Sequence, residues 1–146
     1  MNFTITDVAQ ATLPLSIVKP SSSFLVEVGE ERFRQLVNDH YELIRNSDIA
    51  FMFPVSYEED FAKVKKHAAD FLIQICGGPD YYAQTRGDPR MLARHARFRI
   101  DAKGRRTWLE CYANLLSELE KEGVSPENIQ SFWHYLDSFS VVMVNT

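Results

Sequence analysis

The sequence predicts an all-α fold. Apolar residues recur in steps of three and four from about residue 29 onward, start and stop signals punctuate those runs, and alternating period-2 runs are absent after the first 26 residues. The first stretch, to about Val26, is rich in Thr, Ser and Pro and has no helical period. Pro14, Lys19-Pro20 and Ser21-Ser22-Ser23 make it an extended arm that packs onto a helical body.

The first long helix opens at Gly29-Glu30-Glu31 and presents Phe33, Leu36, Val37, Tyr41 and Ile44 on one face, with His40 at its edge. Asn46-Ser47-Asp48 interrupts it, and a short apolar patch over 49–53 ends at Pro54. The next helix starts near Glu58 and aligns Phe61, Val64, Ala68, Phe71, Leu72 and Ile75, with His67 beside Val64 and Ala68. Gly77-Gly78-Pro79 stops it, combining residues suited to a left-handed cap with a proline that cannot continue a helix. A polar loop over 80–88 leads to a short element over 89–95, with Pro89 suited to its first turn. Asp101 caps a helix that buries Trp108, Cys111, Tyr112, Leu115 and Leu119. Ser125-Pro126-Glu127 starts the last helix, whose face is Ile129, Phe132, Trp133, Leu136, Phe139, Ser140 and Met143.

A chain of 146 residues is one domain's length, and 45% hydrophobic with 25% charged residues is the mixture of a soluble globular protein. A formal charge of −4 without a basic block speaks against nucleic acid as a partner. Cys76 and Cys111 lack CxxC spacing, so neither a zinc cluster nor a disulfide framework is expected. No apolar run approaches the roughly 18 residues that span a bilayer, and the N-terminus lacks the early Lys or Arg and the cleavage site of a signal peptide. A reduced, cytoplasmic protein away from membranes is the expectation. GxGxxG, GxxxxGK[ST], HExxH and GxSxG are all absent.

What remains is a set of histidines among aromatic and apolar residues. His95 ends a short basic element, where it either complements the helix dipole or presents an imidazole to a metal, with Arg94 and Arg97 near an anionic ligand. His67 is either a satisfied histidine on the rim of an apolar face or a site residue. His40 and His134 read as structural or solvent-facing. Tyr41 and Trp108 each carry a polar tip on a core-facing position, and a buried phenol O–H or indole N–H needs a partner that a bound ligand could supply.

The run FLIQICGGPDYY over 71–82, then RGDPRM over 86–91, RHARFRI over 94–100 and WLEC over 108–111, resembles the group II truncated haemoglobins in order and spacing. The resemblance runs from about Gly29 to Val144-Asn145. It implies a truncated (2-on-2) globin fold over 27–146, preceded by an N-terminal extension over 1–26, and haem b as cofactor. Carried over by position, His95 corresponds to the proximal iron ligand, with Arg94, Phe98 and Ile100 beside the cofactor. Tyr41 corresponds to the distal tyrosine, and Phe53 to the corner aromatic packed on the haem. Val64, His67, Ala68 and Phe71 match the distal face of the following helix, and Trp108 matches the tryptophan that marks the group. His67 is also the candidate for a sixth iron ligand, since the small Ala68 beside it leaves room for the imidazole.

Four positions depart from the family pattern: Phe53 lacks a hydroxyl usual there, Ala68 replaces a larger aliphatic, Asp88 replaces a histidine, and Gly29 stands where a Gly-Gly pair is usual. The resemblance implies binding of dioxygen and other diatomic ligands, NO and CO among them. The alternative it carries is a haem redox enzyme, a nitric oxide dioxygenase or peroxidase-like detoxifier, served by an external reductase. A haem-free helical interaction module is the third reading.

Overall fold

A computed structural model describes residues 1–8 and 17–146 of the chain, so the Pro14 part of the arm lies outside the described residues. Every regular element among the described residues is helical, as the periodicity predicts: α1 (Ser22–Val28), α2 (Glu30–Arg45), α3 (Glu58–Ile75), α4 (Tyr81–Arg86), α5 (Met91–His95), α6 (Ala102–Lys121) and α7 (Pro126–Met143). A 3-10 turn, Ala50–Met52, fills the apolar patch between α2 and α3. The helices pack as two pairs, α2 with α3 and α6 with α7, joined where α2 lies on α6.

The long helices follow their amphipathic faces. Phe33, Leu36, Val37 and Ile44 of α2, Phe61, Leu72 and Ile73 of α3, Leu109, Tyr112, Leu116 and Leu119 of α6, and Ile129, Phe132 and Leu136 of α7 form the buried centre. On α6 it is Leu116, one position beyond the expected Leu115, that faces inward, and Trp108 is only partly covered. Glu58, Glu59 and Asp60 crowd the first turn of α3, where carboxylates complement the helix dipole. At its other end Gly77 takes φ 84°, and the Gly78 amide returns to the Ile73 carbonyl at 2.9 Å. A side chain at position 78 would meet Ile73 Cγ2 and Leu25 Cδ2 at 2.7 Å, so both glycines of the stop signal are required.

The structure corrects several boundaries. The arm is not extended throughout, because α1 begins inside it. Ser21 Oγ caps that helix by accepting from the Ser23 amide at 3.2 Å, and buried Phe24 stacks on Phe132 at 4.7 Å. Seven residues with one buried anchor are too few to show a period. The expected loop over 80–88 contains α4, held by buried Tyr82 and by the Ala83 amide donating to Gln74 Oε1 at 3.0 Å. Pro89 does not enter the first turn of α5, because Arg90 adopts φ 39° and the helix starts at Met91. Asp101 caps α6 as expected, its carboxylate accepting from Gly104 N at 2.7 Å, whereas the Ser125 hydroxyl makes no cap bond on α7. There the remote Glu27 carboxylate takes the Ser125 amide at 3.0 Å.

Residues at the N-terminus fasten onto α6 and α7. Trp133 Nε1 donates to the Thr4 carbonyl at 2.9 Å, and Phe3 meets the Trp133 ring edge-on at 5.0 Å. The Thr6 amide and hydroxyl donate to the two Asp137 oxygens at 2.9 and 2.6 Å. Asp137 in turn receives Arg105 Nη2 at 2.6 Å, while Arg105 Nη1 donates to the Thr6 carbonyl at 2.7 Å and Nε to Ser140 Oγ at 2.9 Å. Arg105 is 4% exposed, so this pair is buried and its hydrogen bonds are what make the burial tolerable.

Candidate functional site

A cavity of about 850 Å³ opens between α2, α3, α4, α5, α6 and α7. That is in the roughly 300–1,000 Å³ range of pockets that bury a small ligand or cofactor. Each element brings its own wall. Tyr41 comes from α2, Phe53 from the corner after the 3-10 turn, Val64, His67, Ala68 and Phe71 from α3, Arg94 and His95 from α5, Phe98 and Ile100 from the segment that follows, and Trp108 from α6. Every site residue expected from the sequence thus borders this one space. Arg97, also singled out beside His95, borders it as well, with its guanidinium over the Phe98 ring at 5.0 Å.

The three histidines of this region fall into two tautomers, each fixed by its partner. His95 Nδ1 lies 2.7 Å from the Met91 carbonyl. A carbonyl only accepts, so Nδ1 carries the proton and Nε2 presents a bare lone pair, with no hydrogen-bond partner among the described residues. His67 is the same tautomer, with its bare nitrogen occupied: Arg86 Nη1 donates to its Nε2 at 3.3 Å, so Nδ1 carries the proton, and that nitrogen is buried without a partner among the described residues. Burial first, and then the Arg86 and Lys66 charges, push the His67 pKa below its ordinary value. His40, next to Tyr41, is fully buried and donates from Nε2 to the Trp108 carbonyl at 3.0 Å. It is therefore structural and not solvent-facing, whereas His134 is exposed.

Tyr41 packs edge-on against Phe53 at 5.5 Å and Phe61 at 6.1 Å. Burial pushes its phenol up to about 12, so it stays a hydroxyl at any ordinary pH. Neither its O–H nor the Trp108 indole N–H has a hydrogen-bond partner among the described residues, and both residues border the cavity. Arg94 also holds the backbone beside it. Its Nε donates to the Pro89 carbonyl at 2.6 Å, and its Nη2 donates to the Arg86 and Asp88 carbonyls at 2.9 and 3.1 Å, so it braces the bend before α5 while Nη1 keeps its N–H donors. The sequence reading missed Tyr82, Arg86, Met91, Arg105 and Tyr112 in the lining. Of these, Met91 and Arg86 had a signal available, since they stand four residues before His95 and in the RGDPRM run.

Both cysteines are buried free thiols, and burial pushes Cys76 up to about 12, which leaves it unreactive. Among the described residues no group of three or more His, Cys, Asp or Glu could hold a bare metal ion, and no helix is long and apolar enough to cross a membrane. The donor set fits the cofactor that the resemblance implies: one imidazole with a free lone pair on a space lined by Val64, Phe71, Phe98, Ile100 and Phe139, where a macrocycle brings its own four donors to the iron.

Comparison with known proteins agrees with this geometry. A family model described as bacterial-like globin matches residues 26–145. The chain is 26% identical over 83 residues to a group 2 truncated haemoglobin 3-1 of Lotus japonicus, covering 57% of this chain and 49% of that protein. It therefore spans about half the length of that plant relative. Among solved structures it is similar to phosphate-bound Hell's gate globin IV, with 37% identity, a TM-score of 0.83 and coverage of 90% of this chain and 79% of the other. It is also similar to the truncated oxygen-avid haemoglobin of Bacillus subtilis, with 28% identity, a TM-score of 0.74 and coverage of 84% and 98%. The all-α architecture is that of the 2-on-2 truncated globins.

Proposed function

Because this chain belongs to the bacterial-like globin family, we propose that it binds dioxygen and related diatomic ligands at a haem b held by His95. The observation that carries the reading is the His95 tautomer: Nδ1–H is committed to the Met91 carbonyl, so the lone pair available on the cavity belongs to Nε2. When bound, haem supplies an iron with a coordination position open to NO, CO or dioxygen. The chain's own residues do the rest. Phe53, Val64, Ala68, Phe71, Phe98 and Ile100 exclude water from the macrocycle's slot, and Tyr41 and Trp108 contribute donors where a bound ligand gains negative charge. A Bacillus subtilis relative described as oxygen-avid supports dioxygen as the first ligand to test. Residues 1–26 are then an N-terminal extension outside the globin unit of 27–146.

Titration of the purified chain with hemin tests the proposal. A one-to-one Soret band is expected, lost or made dependent on added imidazole in His95→Ala. A chain that retains no haem after reconstitution, or a His95→Ala variant whose ferrous spectrum is unchanged, would overturn it.

A further inference from the structure

His40 is the one fully buried imidazole of the molecule, and it stands outside the cavity lining. Its ring stacks on Tyr112 at 3.6 Å and 15°, and meets Trp108 edge-on at 5.3 Å and Tyr41 edge-on at 5.5 Å. Its Nε2–H donates to the Trp108 carbonyl at 3.0 Å, across the contact between α2 and α6. Its Nδ1 is buried with no partner among the described residues. A residue chosen only to fill this space would be apolar, since leucine or phenylalanine leaves no bare nitrogen behind. What the imidazole adds is one donor aimed at one carbonyl and one flat face laid against one ring.

We infer that His40 is a positioning residue that fixes where Trp108 and Tyr112 stand in the cavity wall. The Trp108 carbonyl lies within α6, where the helix itself supplies a donor from four residues on, so His40 is a second donor tying that turn to α2. Tyr41 is the next residue along α2. The same turn of helix that places its phenol on the cavity therefore also holds the indole-bearing turn of α6 at a set distance. Tyr112, four residues after Trp108, is held by the stack. The separation between the Tyr41 hydroxyl and the Trp108 indole N–H, the two donors without protein partners, is in this way set by a residue that reaches neither of them. Burial holds His40 neutral, down to about 3, so the bond keeps its donor sense throughout the physiological range. The inference rests on the reading of Tyr41 and Trp108 as ligand donors.

The test uses the ferrous carbonmonoxy protein. Long-range proton–nitrogen correlation spectra should show His40 as the Nε2–H tautomer without titration between pH 5 and 8. An Nδ1–H tautomer, or a ring titrating near 6.5, would overturn the inference with no substitution made. Incorporated 5-fluorotryptophan, assigned by Trp133→Phe, should give one narrow fluorine resonance for Trp108. In His40→Leu that resonance should broaden or split and dioxygen release should quicken by roughly threefold to tenfold. His40→Gln, whose amide can reach the same carbonyl, should restore both. An unaltered Trp108 resonance and release rate in His40→Leu, alongside faster release in Trp108→Phe, would sink the positioning role and leave the donor reading intact. Unchanged release in Trp108→Phe and Tyr41→Phe would instead remove the donor reading on which it rests.

Discussion

Replacing Tyr41 by phenylalanine removes a single oxygen from the cavity wall. That oxygen has no protein partner among the described residues, and the ring is already held edge-on by Phe53 and Phe61. The substitution keeps the ring contacts and deletes only a hydroxyl that the fold does not use. Folding stability should therefore stay within about 0.5 kcal/mol of the parent. Ligand release should respond very differently. A hydrogen bond to a partner carrying charge contributes about 1.5–3 kcal/mol, and about 1.4 kcal/mol is a factor of ten, so dioxygen should leave roughly 10- to 100-fold faster if the whole term appears in dissociation. The pH profile follows from the phenol being held at about 12. The protonated form is the donor, and a raised pKa extends its range upward, so release should be flat through pH 10, where an ordinary phenol would be half ionised. Stopped-flow displacement of dioxygen by CO from pH 6 to 10 measures both quantities. Equal rates in the parent, Tyr41→Phe, Trp108→Phe and the double variant would refute the reasoning.

Asp137→Asn should cost about 3–5 kcal/mol in urea unfolding, because the buried Arg105 loses the carboxylate hydrogen-bonded to it; a loss under about 1 kcal/mol would mean that Arg105 relaxes to solvent. For His67, the sixth-ligand proposal requires the ring to leave Arg86, so the ferric protein should be low-spin and turn high-spin in His67→Ala. A ferric spectrum that is high-spin at neutral and alkaline pH, and unaltered by the substitution, ends that idea. His40 should make stability fall on the acid side. Its folded pKa of about 3 lies below the ordinary 6.5, so the unfolded chain alone binds the proton between those values. Its contribution is complete above 6.5 and is lost as pH drops, by about 2 kcal/mol from pH 7.5 to 5. His40→Leu should flatten that slope relative to the parent, and identical slopes would show that another group dominates.

The elements that the sequence displays are those with several turns of periodic apolar residues: α2, α3, α6 and α7. Short helices escape this reading for a physical reason. α1 depends on the single anchor Phe24 and α4 on Tyr82, and a helix of one or two turns offers no repeat to detect. The candidate site is legible through family spacing, because the residues around His95 stand in a recognisable order, and all the residues so named border one cavity. What spacing could not reveal is how each polar group is spent. Arg94 looks like an anion binder in the string RHARF, and three of its five N–H donors go to backbone carbonyls that no spacing displays. His40 looks like the polar edge of an amphipathic helix, and only the approach of α6 turns it into a buried donor.

The bonds that fasten Thr4 and Thr6 to α7 join positions 129 and 131 residues apart in the chain. Contacts so distant in sequence bring a loop-closure cost that must be met before any of their energy is returned. They also impose an order on synthesis: the first residues leave the ribosome long before Trp133 and Asp137 exist to receive them. Until then Arg105 lacks both its carboxylate and the Thr6 carbonyl, and two of its three polar anchors arrive only with α7. The cavity wall that Arg105 lines is therefore closed by a late clasp between the two ends of the described chain.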